Sequence, residues 1–317
     1  EKRRRREEIL KKHKRRQKTI DFDYISPKPQ IMDLIESLNS PSVTRRCNAA
    51  GTLKLMASQK KNVTMLASTD GLVQTILKAS MINPDLEEDP EQVIVTKKRL
   101  LTALALLCQA KDTRRAICFQ SGLLDFLLHS IKENTGEIRL HCCSAIAALA
   151  KTEENREFIA NKDDMVAELS SLVLNLNPDA ATKEGGKKSS NSAMINSSTR
   201  MNACAALLHL SKQCAVAAKM CRSENVLNVL SSCSLDLSDK VHSRCMETIY
   251  HLSRFPGNTD ILAENSAAMN AINSNCSSIS PEDRMWSLRA MQKISAFSNK
   301  RAMVATTVTL ANLCNSA

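Results

Sequence analysis

The side chains able to do chemistry in this chain are few and scattered. Six histidines occur (His13, His129, His141, His209, His242 and His251), with twelve cysteines and no Cys-x-x-Cys. His209 and His251 stand 42 residues apart at equivalent helical positions. Helices stacked ~8–10 Å apart hold such a pair too far apart for one zinc at ~2 Å. Cys204 and His209 are five apart, so they point to different faces of one helix. The run Gly185-Gly186-Lys187-Lys188-Ser189 lacks the first glycine of a phosphate-binding loop and sits in a polar stretch. No motif orients a base beside a cysteine. The sequence predicts no catalytic residue, no metal-ligand set and no cofactor. It reads as a non-enzyme whose chemistry is recognition by charge and shape.

Charge is the second resource, and it is unevenly placed. The 317 residues carry a net +11. Residues 1–18 alone hold eleven Lys/Arg against three Glu, leaving a nearly neutral body behind a basic arm. Aromatic residues are only 3% of the chain, so the base-stacking platforms of a nucleic-acid binder are missing; any nucleic-acid contact is nonspecific and through the arm. No stretch is long and apolar enough for a membrane span. The cysteines fall within apolar helical patterns, which suits buried free thiols in a reducing compartment, cytoplasmic or nuclear. The chain opens on Glu1 and stops within a repeat, which reads as part of a longer protein.

These residues must be positioned by a repeating helical unit. Met56, Leu107, Leu149, Leu210, Leu252 and Ile294 mark one apolar register, at intervals of 51, 42, 61, 42 and 42 residues. The two long intervals exceed 42 by nine and nineteen, and both surpluses have loop-like composition, near residues 83–92 and 177–198. Three residues before each register position stand Leu53, Leu104, Ile146, Leu207, Ile249 and Met291, all apolar. Fifteen after it stand Gly71, Gly122, Asp164, Asn225, Ala267 and Thr309, of which four tolerate a left-handed turn between helices. Ser40-Pro41 and Ser280-Pro281 read as N-caps with proline opening the helix. Glycines number only seven, and no strand pattern is evident. A helical period near 42 predicts an all-α solenoid whose units bury their apolar faces only by stacking.

The unit resembles the armadillo repeat. Its third helix is matched by residues 43–58, 137–151 and 199–212, and its following pair of short helices by residues 62–80 and 113–131. The resemblance covers residues 30–317. It implies a right-handed α-solenoid of about six repeats over residues 25–317, with residues 1–24 as the arm. It also implies a concave groove lined by the third helices, where the family binds extended peptides.

Periodicity places the side chains on that face. At 100° per residue, the positions one, five and eight before the register lie opposite the buried stripe. The eighth-before column is Asn48, Arg99, His141, Asn202, Arg244 and Trp286. The fifth-before column is Gly51, Thr102, Ser144, Ala205, Glu247 and Arg289, and the first-before column is Leu55, Leu106, Ala148, His209, His251 and Lys293. Arg99, His141, Asn202, Arg244, His251, Trp286, Arg289 and Lys293 are the expected binding residues. Arg244, His251, Trp286, Arg289 and Lys293 are expected to gather as one basic patch beside the only tryptophan, suited to a peptide with an anion and an apolar anchor. The tenth-before column (Arg46, Lys97, Arg139, Arg200, His242, Arg284) falls inside the buried stripe, so its heads are expected to cap carbonyls.

The arm carries Arg3, Arg4, Arg5, Arg6, Lys11, Lys12, Lys14, Arg15 and Arg16. It resembles the importin-beta-binding segment of importin-alpha, which implies a carrier of the importin-beta kind as partner. That family lines its groove with a Trp-x-x-x-Asn array, and none of the matching positions here holds Trp or Asn. The sequence therefore predicts a protein-interaction scaffold binding partner segments in the third-helix groove; the alternative is a nuclear transport adaptor working through the arm.

Overall fold

The computed structural model describes residues 27–174, 190–236 and 241–299. The basic arm, including Arg3, Arg4, Arg5, Arg6, Lys11, Lys12, Lys14, Arg15 and Arg16, lies outside the described residues, as does residue 309. The described residues form 17 α-helices and two short 3₁₀ turns, with no strand among them.

An initial pair, α1 (Pro27–Leu38) and α2 (Val43–Ser58), is followed by five three-helix units. These are α3 (Lys60–Ala67), α4 (Leu72–Ser80) and α5 (Pro90–Leu107); then α6 (Arg114–Cys118), α7 (Leu123–Glu133) and α8 (Gly136–Leu149); then α9 (Glu153–Ala160), α10 (Met165–Val173) and α11 (Ser190–Leu210). The last two are α12 (Cys214–Arg222), α13 (Glu224–Leu235) and α14 (His242–Ser253), and α15 (Pro256–Glu264), α16 (Ser266–Cys276) and α17 (Pro281–Phe297). The third helices α2, α5, α8, α11, α14 and α17 stack in chain order, each packed on the next. The chain is an all-α solenoid.

The expected register is the core of this stack. Leu107, Leu149, Leu210, Leu252 and Ile294 are fully buried, as are Leu53, Leu104, Ile146, Leu207 and Ile249. Met56 is only half-buried. Burying a leucine contributes about 2 kcal/mol, so each three-helix unit gains its stability from the neighbour that covers it.

The four arginines of the tenth-before column cap carbonyls as expected, while Lys97 and His242 make no such bond among the described residues. Arg46 donates from Nη1 to the Ser40 and Pro41 carbonyls at 2.9 and 2.7 Å. Its Nη2 donates to Glu87 Oε1 at 2.8 Å. Arg139 Nε donates to the carbonyls of Ile131 and Asn134, and Arg200 Nε to that of Val173. Arg284 Nη1 holds the Ser278 and Ile279 carbonyls. Each arginine pins the end of one helix to the start of the next, satisfying carbonyls that the helix leaves open. His242 takes a different partner: its Nε2 lies 2.9 Å from Asp283 Oδ2, both side chains buried, linking α14 to α17. Lys97 is half-buried and burial lowers its pKa.

Four local expectations need correction. Residues 190–198, expected as loop, form the first nine residues of α11, and residues 175–189 of that surplus lie outside the described residues. The other surplus is shorter than expected: a 3₁₀ turn spans Pro84–Leu86, and Asp89 caps α5, accepting from Gln92 N at 3.0 Å, with Pro90 as its first residue. The cap of α2 is Ser42, not Ser40, because Pro41 turns its carbonyl to Arg46 and helical geometry begins only at Val43. Gly71, Gly122 and Asp164 do take left-handed φ of 76°, 77° and 61°, but Asn225 lies inside α13. In the last two units a single extended residue, Ser223 or Asn265, joins the short helices and caps the second one. No left-handed residue is needed there.

Candidate functional site

The fifth- and eighth-before columns emerge on the side of the third helices opposite the buried stripe, whereas in the first-before column Ala148 and His251 are buried because the neighbouring repeats cover them. All of the fifth- and eighth-before residues are half-buried or exposed, whereas the seventh-before residues Ala49, Leu100, Cys142, Ala203, Cys245 and Ser287 are all buried. The face is open, but several of its cations are already engaged. Arg99 Nη1 donates 2.8 Å to the Cys47 carbonyl of the preceding third helix. Arg244 Nη1 donates 3.0 Å to the Met201 carbonyl, one helix back in the same manner. Both acceptors lie nine residues before their own register. The same contact therefore recurs twice as an inter-repeat strut. It also explains Gly51, where an added Cβ would come within 3.2 Å of Arg99 Nη1. His141 and Asn202 are half-buried, and burial lowers the His141 pKa.

At the C-terminal end the expected patch is partly assembled. Trp286 packs at 5.1 Å from the Tyr250 ring and 6.4 Å from His251, measured between centroids. The Arg289 guanidinium lies 5.5 Å from the indole centroid, in cation–π range. Arg289 is exposed and makes no hydrogen bond or ion pair among the described residues. Lys293 turns to Phe297, with Nζ 5.8 Å from its ring. His251 adds no positive charge. It is buried, its pKa falls to about 4 through burial and the fields of Lys212 and Arg254, and its Nε2 faces Glu247 at 3.6 Å. Arg244, tied to Met201, does not point into this group. Trp286, Arg289, Tyr250 and His251 are brought together; Arg99, His141 and Asn202 lie on earlier repeats.

Trp286 is not a simple surface anchor. It packs against the hydrophobic core, and its Nε1–H is buried without an acceptor among the described residues. Truncating it therefore also opens a cavity. Arg289 is the cleaner reporter of this end of the face.

Sequence reasoning passed over a second group at the ends of the third helices. Lys151, Lys212 and Arg254 stand two residues after the register in three consecutive repeats. Arg114 and Arg156 stand seven after it. Arg114 donates from Nε and Nη2 to the Cys108 and Gln109 carbonyls, and Arg156 to those of Ala150 and Lys151. Their heads thus close the open ends of α5 and α8. Asparagines six after the register do the same for the register carbonyl itself: Asn155 donates to Leu149 O and Asn258 to Leu252 O, each at 3.0 Å. The cations surround the two first-before histidines. After burial, His209 is held near pKa 4 by Lys212, Lys151, Arg156 and Arg244.

Among the described residues no cluster of three or more His, Cys, Asp or Glu is arranged to hold a metal ion. No described helix is long and apolar enough to cross a membrane.

No family model and no curated protein matches the chain. Solved structures do. The designed armadillo repeat protein YIII(Dq)4CqI superposes with a TM-score of 0.64 at 17% identity, covering 83% of this chain and 98% of that one. A second design, YIII(Dq.V1)4CPAF in complex with peptide (KR)4, gives 0.64 at 17% identity, with 83% and 98% covered. A structure from work on a phosphorylation switch that controls the interaction between cadherin and beta-catenin gives 0.63 at 16% identity, covering 87% of this chain and 54% of that one. Three-helix units, stacked third helices and these superpositions agree: the chain folds as an armadillo-type repeat solenoid.

Proposed function

We propose that this chain is a non-enzymatic scaffold that holds an extended segment of a partner protein along the face of its third helices. The observation that carries the reading is the accessible column on that face. Six third helices in order leave their fifth- and eighth-before side chains half-buried or exposed, while the seventh-before side chains and the register from Leu107 onward are buried in the stack. At the C-terminal end this face presents Arg289 over Trp286 beside Tyr250. Arginine and tryptophan together are the residues most enriched at binding hot spots. Leu55, 68% exposed, offers an apolar contact at the other end. The peptide held by one armadillo design supports the same use of the fold.

A photo-crosslinking side chain placed at Arg289 tests this, with the same group at Glu133, exposed at the end of a second helix, as control. Partner protein captured from Arg289 and not from Glu133 is the expected result. Capture from Glu133 alone would move the binding surface off the third helices.

A further inference from the structure

We propose that the cationic rim at the C-terminal ends of the third helices receives acidic side chains of an extended peptide, one carboxylate per repeat. The proposal rests on the third-helix reading above and names the chemistry of the partner. Lys151, Lys212 and Arg254 form the rungs, at the same place in three successive repeats. Arg114 and Arg156 back them from the following short helices.

None of these five cations has a carboxylate partner among the described residues. Elsewhere several of the chain's cations find one: Arg46 with Glu87 at 2.8 Å, Lys132 with Asp164 at 2.9 Å, Lys98 with Glu137 at 3.8 Å. On the rim the acceptors are neutral. Lys151 Nζ reaches across one repeat to Gln109 Oε1 at 3.4 Å, and Arg254 Nη1 lies 3.3 Å from His251 Nδ1. Lys212 makes no hydrogen bond or ion pair among the described residues. Glu247 faces His251 at 3.6 Å and feels the field of Lys212 without forming an ion pair with it. Glu153 and Glu154, which follow Lys151, form none with the rim either among the described residues.

Helix C-termini attract cations for a purely structural reason, and its magnitude can be compared. Each end carries about half a negative charge. Four ends, those of α5, α8, α11 and α14, face five full positive charges, so the rim stays cationic after its own helices are satisfied. Adjacent rungs ride on helices ~8–10 Å apart, and an extended chain advances ~3.3 Å per residue. One acidic residue at about every second or third position therefore matches the rungs. Phe255 is the one aromatic residue next to a rim cation in sequence, and it packs against the core, so the rungs present little of the stacking surface that single-stranded nucleic acid uses. A basic peptide would be repelled.

The test uses the full chain and a fluorescent synthetic peptide of about twelve residues with glutamate at every third position. A glutamine version of that peptide and a single-stranded oligonucleotide of equal charge serve as controls. Lys212→Gln removes a rung that holds nothing else and should weaken binding about threefold. The triple variant Lys151→Glu, Lys212→Glu, Arg254→Glu should weaken it tenfold or more, with a shallower dependence on salt. Circular dichroism confirms that each variant is folded. Neutralising Arg3, Arg4, Arg5 and Arg6 to Gln should leave peptide binding largely in place. The proposal is overturned if the peptide binds no better than its glutamine version, if the triple variant binds as well as the parent, if the loss follows the arm instead, or if the oligonucleotide outcompetes the peptide. Partner capture from Arg289 that survives the triple variant would keep the third-helix reading and reject the rim; loss of capture at Arg289 with an intact rim response would do the reverse.

Discussion

Arg46 offers the sharpest check on what holds this solenoid together. It is 5% exposed, and its guanidinium makes three bonds: to the Ser40 and Pro41 carbonyls and to Glu87, 41 residues away. Truncation to alanine strands a partly buried Glu87 and two carbonyls. Breaking a buried ion pair costs about 3–5 kcal/mol. Here Pro41 is exposed and water can replace part of the loss, so the lower end, about 3 kcal/mol, is expected. Arg46→Lys keeps the charge but loses the fork that serves both directions, and should cost about half as much. Repeats contact only their neighbours, so the damage stays local. Native-state hydrogen exchange is the assay: amides of α1 and α2 should lose about a hundredfold in protection, while those of α14 and α17 stay unchanged. No change in α1 and α2, or an even loss along the whole chain, would refute the view that this column pins one helix to the next.

Three further outcomes follow from the same structure. His209 and His251 titrate near 4 when folded against 6.5 as free side chains, so the unfolded chain binds more protons between those values; stability is full above pH 6.5 and falls as pH drops towards 4. Urea midpoints at pH 7 and 4.5 should differ less in the His209→Gln, His251→Gln double variant than in the parent, and equal differences would contradict it. Gly122 holds φ +77°, and a methyl group added there would meet no atom within 4 Å, so Gly122→Ala should cost about 1 kcal/mol from backbone strain alone, read as a lower urea midpoint. Cys214 is exposed, while burial pushes the Cys118 and Cys142 thiols up to about 12; a thiol reagent should modify Cys214 in the native chain and reach the other two only on unfolding.

The spine of this fold is legible in the sequence because it repeats. One apolar column with a period of 42 locates Leu107, Leu149, Leu210 and Leu252, and the angle between positions ten apart is enough to turn Arg46 and Arg139 onto backbone carbonyls rather than line them up for a ligand. The binding face is less legible. Periodicity gives the direction in which a side chain leaves its helix, but not the length of its reach. Arg99 and Arg244 leave towards the open face and then bend back to a carbonyl of the previous repeat. His251 reads as basic in the sequence, whereas the neighbouring repeats bury it and surround it with cations. The rim escapes an angular count because it lies beyond the last turn of each helix, where such a count stops applying. A column two residues past the register, basic in three successive repeats, is its signal. The start of α11 is hidden by composition: Ser190-Asn191-Ser192 favours a loop, yet the helix runs on through it.

These two sets of basic residues follow one rule with opposite results. A third helix is crowded near its start, where the previous second helix ends, and the arginines there find a carbonyl or a partly buried acid within reach: Arg139 at Ile131, Arg200 at Val173, Arg46 at Glu87. At the end of α8 the chain turns away into a short first helix, whose residues six and seven after the register, Asn155 and Arg156, already close the open carbonyls. A cation two after the register then has no acceptor left to claim from its own helix. Lys151 is the clear instance, reaching a neutral glutamine one repeat away; at the end of α11 the equivalent positions are Val216 and Ala217, and Lys212 there makes no hydrogen bond or ion pair among the described residues. Satisfying the end of α8 with Asn155 and Arg156 is what leaves Lys151 unspent. The same packing logic that fixes each repeat therefore decides which of its charges remain available to a partner.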